Sequence, residues 1–297
     1  MNLDDLDHFK KLDKSNMIAE IDGLPDQLQN AWDLGQTQPL PELKDIRVVV
    51  FAGIGASAIG GDFVAAAVFS SIQIPVIVHR DYGLPAFAKG KGALVICSSY
   101  SGNTEETLDS FEAALKNECS IVVISTGGEL AKRASAKKIP VWKFQHNGQL
   151  GAAVGFSFGL PFALLARLGL IPDPSEDIAE AVAAMKRSQG YFRADVPTVK
   201  NPAKRYAGQL MGRWVTIVGA GLLAPVACRW KGQFNEFAKA GANFEYLPEA
   251  DHNTLAGTTN PPRCMGRRSA TRGRLGKMAR STYRTSARSA RIRSRSG

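Results

Sequence analysis

The sequence has 297 residues, 44% of them hydrophobic, and a formal net charge of +10 at pH 7. This hydrophobic content is sufficient for a packed core in one large or two medium domains, which excludes a wholly disordered chain. The charge is uneven, because residues 261–297 contain eleven arginines, one lysine and no acidic residue, which leaves residues 1–260 with a net charge of −2. The basic character of the whole chain therefore says nothing about what its mildly acidic body binds.

The four cysteines lie far apart without a CxxC pair, which argues against a disulfide framework or a zinc site. They are Cys97, Cys119, Cys228 and Cys264. Residues 1–16 are charged throughout and lack the apolar core of a signal peptide. We therefore predict a cytoplasmic protein.

Residues 15–34 are predicted to form short amphipathic helices that lead into the body. Five apolar runs of strand type then alternate with helical patterns. The runs are 47–52, 75–79, 93–98, 120–125 and 140–144. Helices are predicted at 63–69, after a glycine-rich turn, and at 104–116. This alternation predicts βαβ units and a parallel sheet that is covered on both faces.

The pattern starts again in the second half of the body. The longest uncharged run, 150–166, is too short for a membrane span and predicts a buried helix. A helix is predicted at 176–193, strands at 214–219 and 243–247, and a helix through 230–239. We predict an α/β fold with an N-terminal helical arm, two lobes of parallel sheet flanked by helices, and a disordered tail. The predicted domains are residues 1–45, 46–150, 151–260 and 261–297.

The first candidate site follows the first predicted strand. Gly53, Gly55 and Ala58 satisfy GxGxxA, the relaxed dinucleotide-binding fingerprint, and a second match follows the strand at 214–219. The next strand ends without an acidic partner for a ribose hydroxyl, although Arg80 would suit the 2′-phosphate of NADP. A dinucleotide site and a tight turn without a ligand both remain open from these residues.

The second candidate site is the stretch SSYSGNTEETL, which follows the third strand and begins a helix. Ser99, Ser101 and Thr104 cluster around a flexible glycine, and hydroxyls beside the free N–H groups of a helix N-terminus suit a phosphate monoester. Asn103 and Glu106 have the spacing of a capping box. A serine-rich helix cap without a ligand is the simpler alternative.

The third candidate pairs a carboxylate with an imidazole. Trp230, Phe234 and Phe237 are predicted to bury one face of their helix and to leave Glu236 partly desolvated, which would make its carboxylate a stronger general base. His252, predicted in a loop, could carry a second proton near neutral pH. Taken alone, a surface glutamate and a loop histidine more often have no such role.

Together, the stretches GIGASAIGGD, SSYSGNTEETL and RWKGQFNEFAK with LPEADHN resemble the sugar isomerase (SIS) superfamily. Within it they are most similar to the bifunctional phosphoglucose/phosphomannose isomerases, over about residues 15–260. The resemblance implies two SIS-type lobes, and it implies that the glycine-rich turn takes a sugar phosphate instead of a dinucleotide. The residues that it implies for the phosphate are Gly55, Ser57, Ser99, Ser101 and Thr104.

The resemblance also implies the chemistry. Glu236 would move a proton between C1 and C2 through a cis-enediol, interconverting fructose 6-phosphate with glucose 6-phosphate and mannose 6-phosphate. His252 would assist ring opening from across a homodimer interface, and no metal or other cofactor would be needed. The alternatives are a non-catalytic sugar-phosphate-binding regulator of the same fold and, third, an NADP-dependent oxidoreductase.

Two features depart from the family pattern. Gly151 stands where the family has an arginine thought to stabilise the enediolate, and losing that charge could cost on the order of 10²-fold in rate. The segment after His252 lacks the helical pattern that carries a ring-opening lysine in the family. Lys277 lies in an unpatterned context, and we assign it no role.

The basic tail has two interpretations. A genuine arm would bind nucleic acid through its phosphate backbone, without sequence preference. We favour an out-of-frame or otherwise replaced terminus, because the abrupt change in composition coincides with the missing lysine segment. Nucleic acid is a partner only under the first interpretation.

Overall fold

The computed structural model describes residues 2–41, 43 and 45–257. The predicted tail at 261–297 lies outside this part of the chain. The described residues divide into two compact units, with the boundary between residues 211 and 212. The lobe boundary predicted at residue 151 differs from this division, because the helices that follow residue 151 pack within the first unit.

The first unit alternates strands with helices. Its helices are α1 (Leu6–Leu12), α2 (Met17–Asp22), α3 (Leu24–Thr37), α4 (Gly55–Val68), α5 (Glu105–Lys116), α6 (Gly128–Ala136), α7 (Val154–Arg167), α8 (Ser175–Phe192) and α9 (Pro202–Leu210). Its strands are β1 (Val48–Ala52), β2 (Val76–His79), β3 (Ala93–Ser98), β4 (Ser120–Ser125) and β5 (Val141–Lys143). The strands form one parallel sheet, as the apolar runs predict, and their order in it is β2-β1-β3-β4-β5.

Both faces of this sheet are buried, because successive strand residues point to opposite sides. Val49 and Phe51 of β1 belong to a core with α3, α4 and α7, whereas Val50 and Ala52 belong to a second core with α5 and α6. Burial of a large apolar side chain such as Phe51 contributes about 1.5–3 kcal/mol. The central strands are therefore fixed from both sides, and the loops at their ends inherit that rigidity.

Helix α4 begins at Gly55, well before the predicted start at residue 63. The glycines in its sequence permit close packing: a Cβ on Gly60 would lie 2.1 Å from the carbonyl oxygen of Ser157 in α7, and one on Gly61 would lie 2.6 Å from the Phe51 ring. The stretch that the pattern presents as a glycine-rich turn is therefore mostly helix, with its glycines facing the sheet and α7.

The apolar run at 150–166 forms a short 3-10 turn and α7, which is buried along most of its length against α3 and α4. This confirms the predicted buried helix. Among the residues that the structure describes, no helix combines the length and the apolar character needed to cross a membrane.

The second unit contains a smaller parallel sheet. Its strands are β6 (Val215–Ala220) and β7 (Ala242–Leu247), paired from Val215 with Ala242 to Ala220 with Leu247. Its helices are α10 (Ala224–Glu236), α11 (Glu249–His252) and α12 (Thr254–Gly257). Helix α10 connects the two strands and packs on both, so the predicted strand–helix–strand order of this region is confirmed.

Candidate functional site

The candidate phosphate site lies at the carboxyl ends of β1 and β3. In the strand order β2-β1-β3-β4-β5, the chain leaves β1 towards one edge of the sheet and leaves β3 towards the other. Ligands of open α/β sheets bind in the crevice at such a switch point. Gly55 and Ser57 follow β1, and the stretch 99–104 follows β3, so both predicted phosphate-binding segments border this crevice.

One hydrogen bond joins the two segments directly. The backbone N–H of Tyr100 donates to Ser57 Oγ at 3.2 Å, and the Ser57 side chain is buried. Gly55 makes the preceding turn with φ +56°, a conformation that a residue with a Cβ rarely adopts. The structure thus brings Ser57 beside the segment of Ser99 and Ser101, as the resemblance implies.

Within the second segment the hydroxyl groups are ordered by local hydrogen bonds. Ser99 Oγ lies 2.9 Å from Thr104 Oγ1 and accepts from the N–H of Gly102 at 3.1 Å. Ser101 Oγ accepts from the N–H of Asn103 at 3.2 Å. Ser99 is buried and Ser101 is exposed. The loop is therefore prearranged, with a hydroxyl beneath it and a hydroxyl on its surface.

The loop is also held by the next loop of the sheet. Thr126 donates to the carbonyl oxygen of Tyr100 through both Oγ1, at 2.6 Å, and its N–H, at 3.1 Å. The N–H of Leu130 donates to the carbonyl oxygen of Gly102 at 2.8 Å. Gly102 has φ +68°, and a Cβ there would lie 1.9 Å from the carbonyl oxygen of Gly127. Only glycine fits this close approach.

The predicted capping box is wrong. Thr104, not Asn103, is the residue before the first turn of α5, and it makes no side-chain cap. Asn103 instead reaches across to α6, where its Oδ1 accepts from the N–H of Glu129 at 3.0 Å. In the part of the chain that the structure covers, the first free N–H groups of α5 have no protein partner, because the first bonded amide is that of Leu108. Free amides at a helix N-terminus attract a phosphate.

Thr107 adds a polar group that the sequence did not single out. It lies three residues after Thr104, on the same face of α5. Its hydroxyl is buried and has no hydrogen-bond partner among the described residues. A buried hydroxyl without a partner costs about 1–3 kcal/mol, so Thr107 lowers the stability of the fold.

A second polar cluster lies behind the loop. The Tyr100 hydroxyl lies 2.8 Å from the backbone carbonyl oxygen of His146 and 3.1 Å from Nδ1 of the His146 ring. The Nε2 of His146 lies 2.9 Å from Glu20 Oε2. No local sequence pattern predicts this cluster, because its members are up to 126 positions apart.

Glu236 and His252 both lie in the second unit. Glu236 is the last residue of α10 and is exposed, and Trp230 is 53% exposed, so the prediction that aromatic residues desolvate this carboxylate is wrong. Arg229 lies two turns earlier on α10. Burial lowers the pKa of Arg229, and the negative charge of Glu236 opposes that shift. The carboxylate of Glu236 therefore interacts electrostatically with the guanidinium group of Arg229.

His252 is exposed and ends the short helix α11, where a loop was predicted. No hydrogen bond or ion pair joins it to Glu236 among the residues described. The resemblance implies that the histidine acts across a dimer interface, so a contact within one chain is not expected.

The position of the missing arginine is also defined. Gly151 is buried in the 3-10 turn Leu150–Ala152 that precedes α7.

Among the described residues, no group of three or more His, Cys, Asp and Glu side chains is placed to hold a metal ion.

Comparison with known proteins identifies the family and the fold. Residues 199–292 match the family model of the bacterial phospho-glucose isomerase C-terminal SIS domain. The matched span includes residues 261–292, most of the segment that the sequence pattern takes as unlike the family. In the solved structures, the C-terminal domain of glucosamine-fructose-6-phosphate aminotransferase from Francisella tularensis has the same fold, with a TM-score of 0.57 and 16% identity over 81% of this chain and 72% of that one.

Two curated relatives extend the match to most of the chain. The bifunctional phosphoglucose/phosphomannose isomerase of Caldicellulosiruptor bescii is 38% identical over 252 residues, which are 84% of this chain and 74% of the relative. The protein of the same name from Aquifex aeolicus is 33% identical over 74% of this chain and 65% of the relative. This chain therefore belongs to the bifunctional phosphoglucose/phosphomannose isomerase family.

Proposed function

We propose that this protein is an aldose–ketose isomerase that interconverts fructose 6-phosphate with glucose 6-phosphate and mannose 6-phosphate. Membership of the family supports the reaction type. The observation that carries the substrate class is the bond between Ser57 Oγ and the N–H of Tyr100, which joins the two segments of the phosphate site at the switch point of the sheet.

The phosphate is proposed to bind the hydroxyls of Ser57, Ser99, Ser101 and Thr104 together with the free amides at the start of α5. Neutral donors and a helix dipole are sufficient for a phosphate monoester in such a crevice.

For the proton transfer, Glu236 takes a proton from C1 of the open-chain ketose. The electron pair of that C–H bond forms the C1=C2 bond of a cis-enediol, while the carbonyl oxygen at C2 gains a proton. Return of a proton to C2, with loss of the hydroxyl proton at C1, gives the aldose. The carbonyl acidifies the neighbouring C–H bond, and delivery to either face of C2 gives the glucose or the mannose epimer.

His252 is proposed to open the sugar ring, supplied by the second subunit of a homodimer. Gly151 replaces the arginine that is thought to stabilise the enediolate in the family. The rate is therefore expected to be lower by on the order of 10²-fold than with an arginine at this position. The buried, unpaired thiols of Cys97 and Cys119 suit the reducing cytoplasm in which we propose that the protein works.

A direct assay of the products tests this function. Purified protein is incubated with fructose 6-phosphate without nicotinamide cofactor, and glucose 6-phosphate and mannose 6-phosphate are measured. Glu236→Gln is expected to lower kcat by about 10²–10⁴-fold with little change in KM, as removal of a general base does. Glu245→Gln, a glutamate of β7, is the matched control and should keep full activity.

Saturable binding of fructose 6-phosphate without turnover would contradict the isomerase and favour the alternative, a sugar-phosphate-binding regulator. Equal activity of Glu236→Gln and the wild type would remove Glu236 from the mechanism. Salt-sensitive binding of nucleic acid that vanishes on deletion of residues 261–297 would establish the basic arm as genuine.

A further inference from the structure

We propose that Glu20 and His146 are positioning residues, which hold Tyr100 and through it the phosphate-binding loop in the geometry that accepts the sugar phosphate. Tyr100 lies between Ser99 and Ser101, and its backbone bridges to Ser57 and Thr126. Its side chain extends behind the loop to His146. The inference rests on the proposed function for its ligand, whereas the protonation of the cluster can be tested without it.

The hydrogen-bond inventory of the cluster assigns its protons. A phenol has one proton, and the two backbone carbonyls beside Tyr100, of His146 at 2.8 Å and Gly148 at 3.3 Å, only accept. Burial raises the pKa of Tyr100, and the negative charge of Glu20 raises it further, so the phenol keeps its proton. With that proton directed to the His146 carbonyl, His146 Nδ1 at 3.1 Å must donate to the phenol oxygen.

The other ring nitrogen completes the pattern. His146 Nε2 lies 2.9 Å from Glu20 Oε2, and an ionised carboxylate only accepts, so Nε2 also carries a hydrogen. The full set of bonds is satisfied by an imidazolium whose charge Glu20 balances. If the ring were neutral and protonated only at Nε2, the Tyr100 hydroxyl would donate its proton to Nδ1. The carbonyl oxygens of His146 and Gly148 would then have no hydrogen bond from Tyr100.

The packing leaves these groups little freedom. The side chain of His146 is 9% exposed and that of Glu20 is 20% exposed. The imidazole meets the rings of Tyr100 and Phe156 edge-on, with centroids 5.7 and 6.1 Å apart. A Cβ on Gly148 would lie 1.6 Å from Glu20 Oε1, so the carboxylate occupies the space that this glycine leaves. Among the described residues, the titratable side chains that hydrogen-bond to the ring are Glu20 of α2 and Tyr100.

The consequence is confined to ligand binding. Thr126 and Leu130 hold the loop backbone independently of the Tyr100 side chain, so the loop should survive loss of the cluster but with a less defined position. Glu236 lies in the second unit and is not part of the cluster. We therefore expect KM to change and kcat to stay.

The kinetic experiment uses Glu20→Gln, His146→Gln and Tyr100→Phe in the full chain, with fructose 6-phosphate as substrate. Each variant should raise KM about tenfold and leave kcat within about twofold. The double variant Tyr100→Phe with His146→Gln should be no worse than the poorer single one, because the residues act in series. Glu176→Gln and His8→Gln, on helices away from the cluster, are the matched controls.

The spectroscopic experiment detects the ring protons of the wild type. Long-range proton–nitrogen NMR on histidine-labelled protein at pH 7 should show both nitrogens of one imidazole protonated, a signal assigned by its loss in His146→Gln or its shift in Tyr100→Phe. A neutral His146 ring in the wild type would overturn the proposal even if a variant failed to fold. Unchanged KM in the three variants of an active enzyme would also overturn it, whereas an inactive wild type would refute the proposed function alone.

Discussion

Replacement of Gly102 by alanine probes the close approach on which the phosphate site depends. A left-handed backbone costs an alanine about 1–2 kcal/mol. Gly102 has φ +68°, and Gly169 has φ +69°, so both replacements carry this cost. A Cβ on Gly169 meets no atom within 4 Å, whereas a Cβ on Gly102 would lie 1.9 Å from the carbonyl oxygen of Gly127. Gly169→Ala is therefore the matched control for backbone strain.

The excess effect at Gly102 comes from two loops that must move apart. The movement breaks the 2.8 Å bond between the N–H of Leu130 and the Gly102 carbonyl, and a buried polar group left without its partner costs about 1–3 kcal/mol. We expect Gly102→Ala to lose that much more stability than Gly169→Ala in urea unfolding. Its KM for fructose 6-phosphate should rise, while that of Gly169→Ala stays. Equal stability and equal KM in both variants would refute the proposed packing of the loop.

Three further predictions concern packing, an unpaired hydroxyl and pH. Gly60→Ala should destabilise the fold by about 1–3 kcal/mol, because its Cβ would meet the Ser157 carbonyl at 2.1 Å; an unchanged melting temperature would contradict this. Thr107→Val should stabilise the ligand-free protein, and a loss of stability would show that the hydroxyl is paired. Lys204, by its hydrogen bond, lowers the pKa of Asp4 below 3.8, so Asp4 stabilises the fold above that pH and the contribution is lost as pH falls through the lower, folded value. The melting-temperature difference between wild type and Asp4→Asn should therefore shrink in acid, and a constant difference down to pH 3 would contradict the ion pair with Lys204.

Local patterns predicted the sheet well, because its strands are buried on both faces. Each of the five apolar runs corresponds to a strand, since a run such as 93–98 has no polar face to present to water. The helix starts were less predictable. At α4 the glycines that suggest a turn serve contacts with Phe51 and Ser157, which a local pattern cannot show.

The candidate site divides in the same way. The hydroxyl cluster of Ser99 and Thr104 was predictable because it is built within six residues. The hydrogen bond that Asn103 accepts from the N–H of Glu129 was not predictable, since the two residues are 26 positions apart. The exposure of Glu236 also escaped prediction, because aromatic spacing on α10 indicates a face but does not say whether another element covers it.

The central claim is proton transfer at C1 and C2 of a 6-phosphosugar with Glu236 as the base. Isomerisation of fructose 6-phosphate in D2O, followed by NMR of the products, tests it most directly. The account predicts solvent deuterium at C2 of both glucose 6-phosphate and mannose 6-phosphate, and no such product with Glu236→Gln. Products formed by Glu236→Gln at the wild-type rate would contradict Glu236 as the base of this transfer.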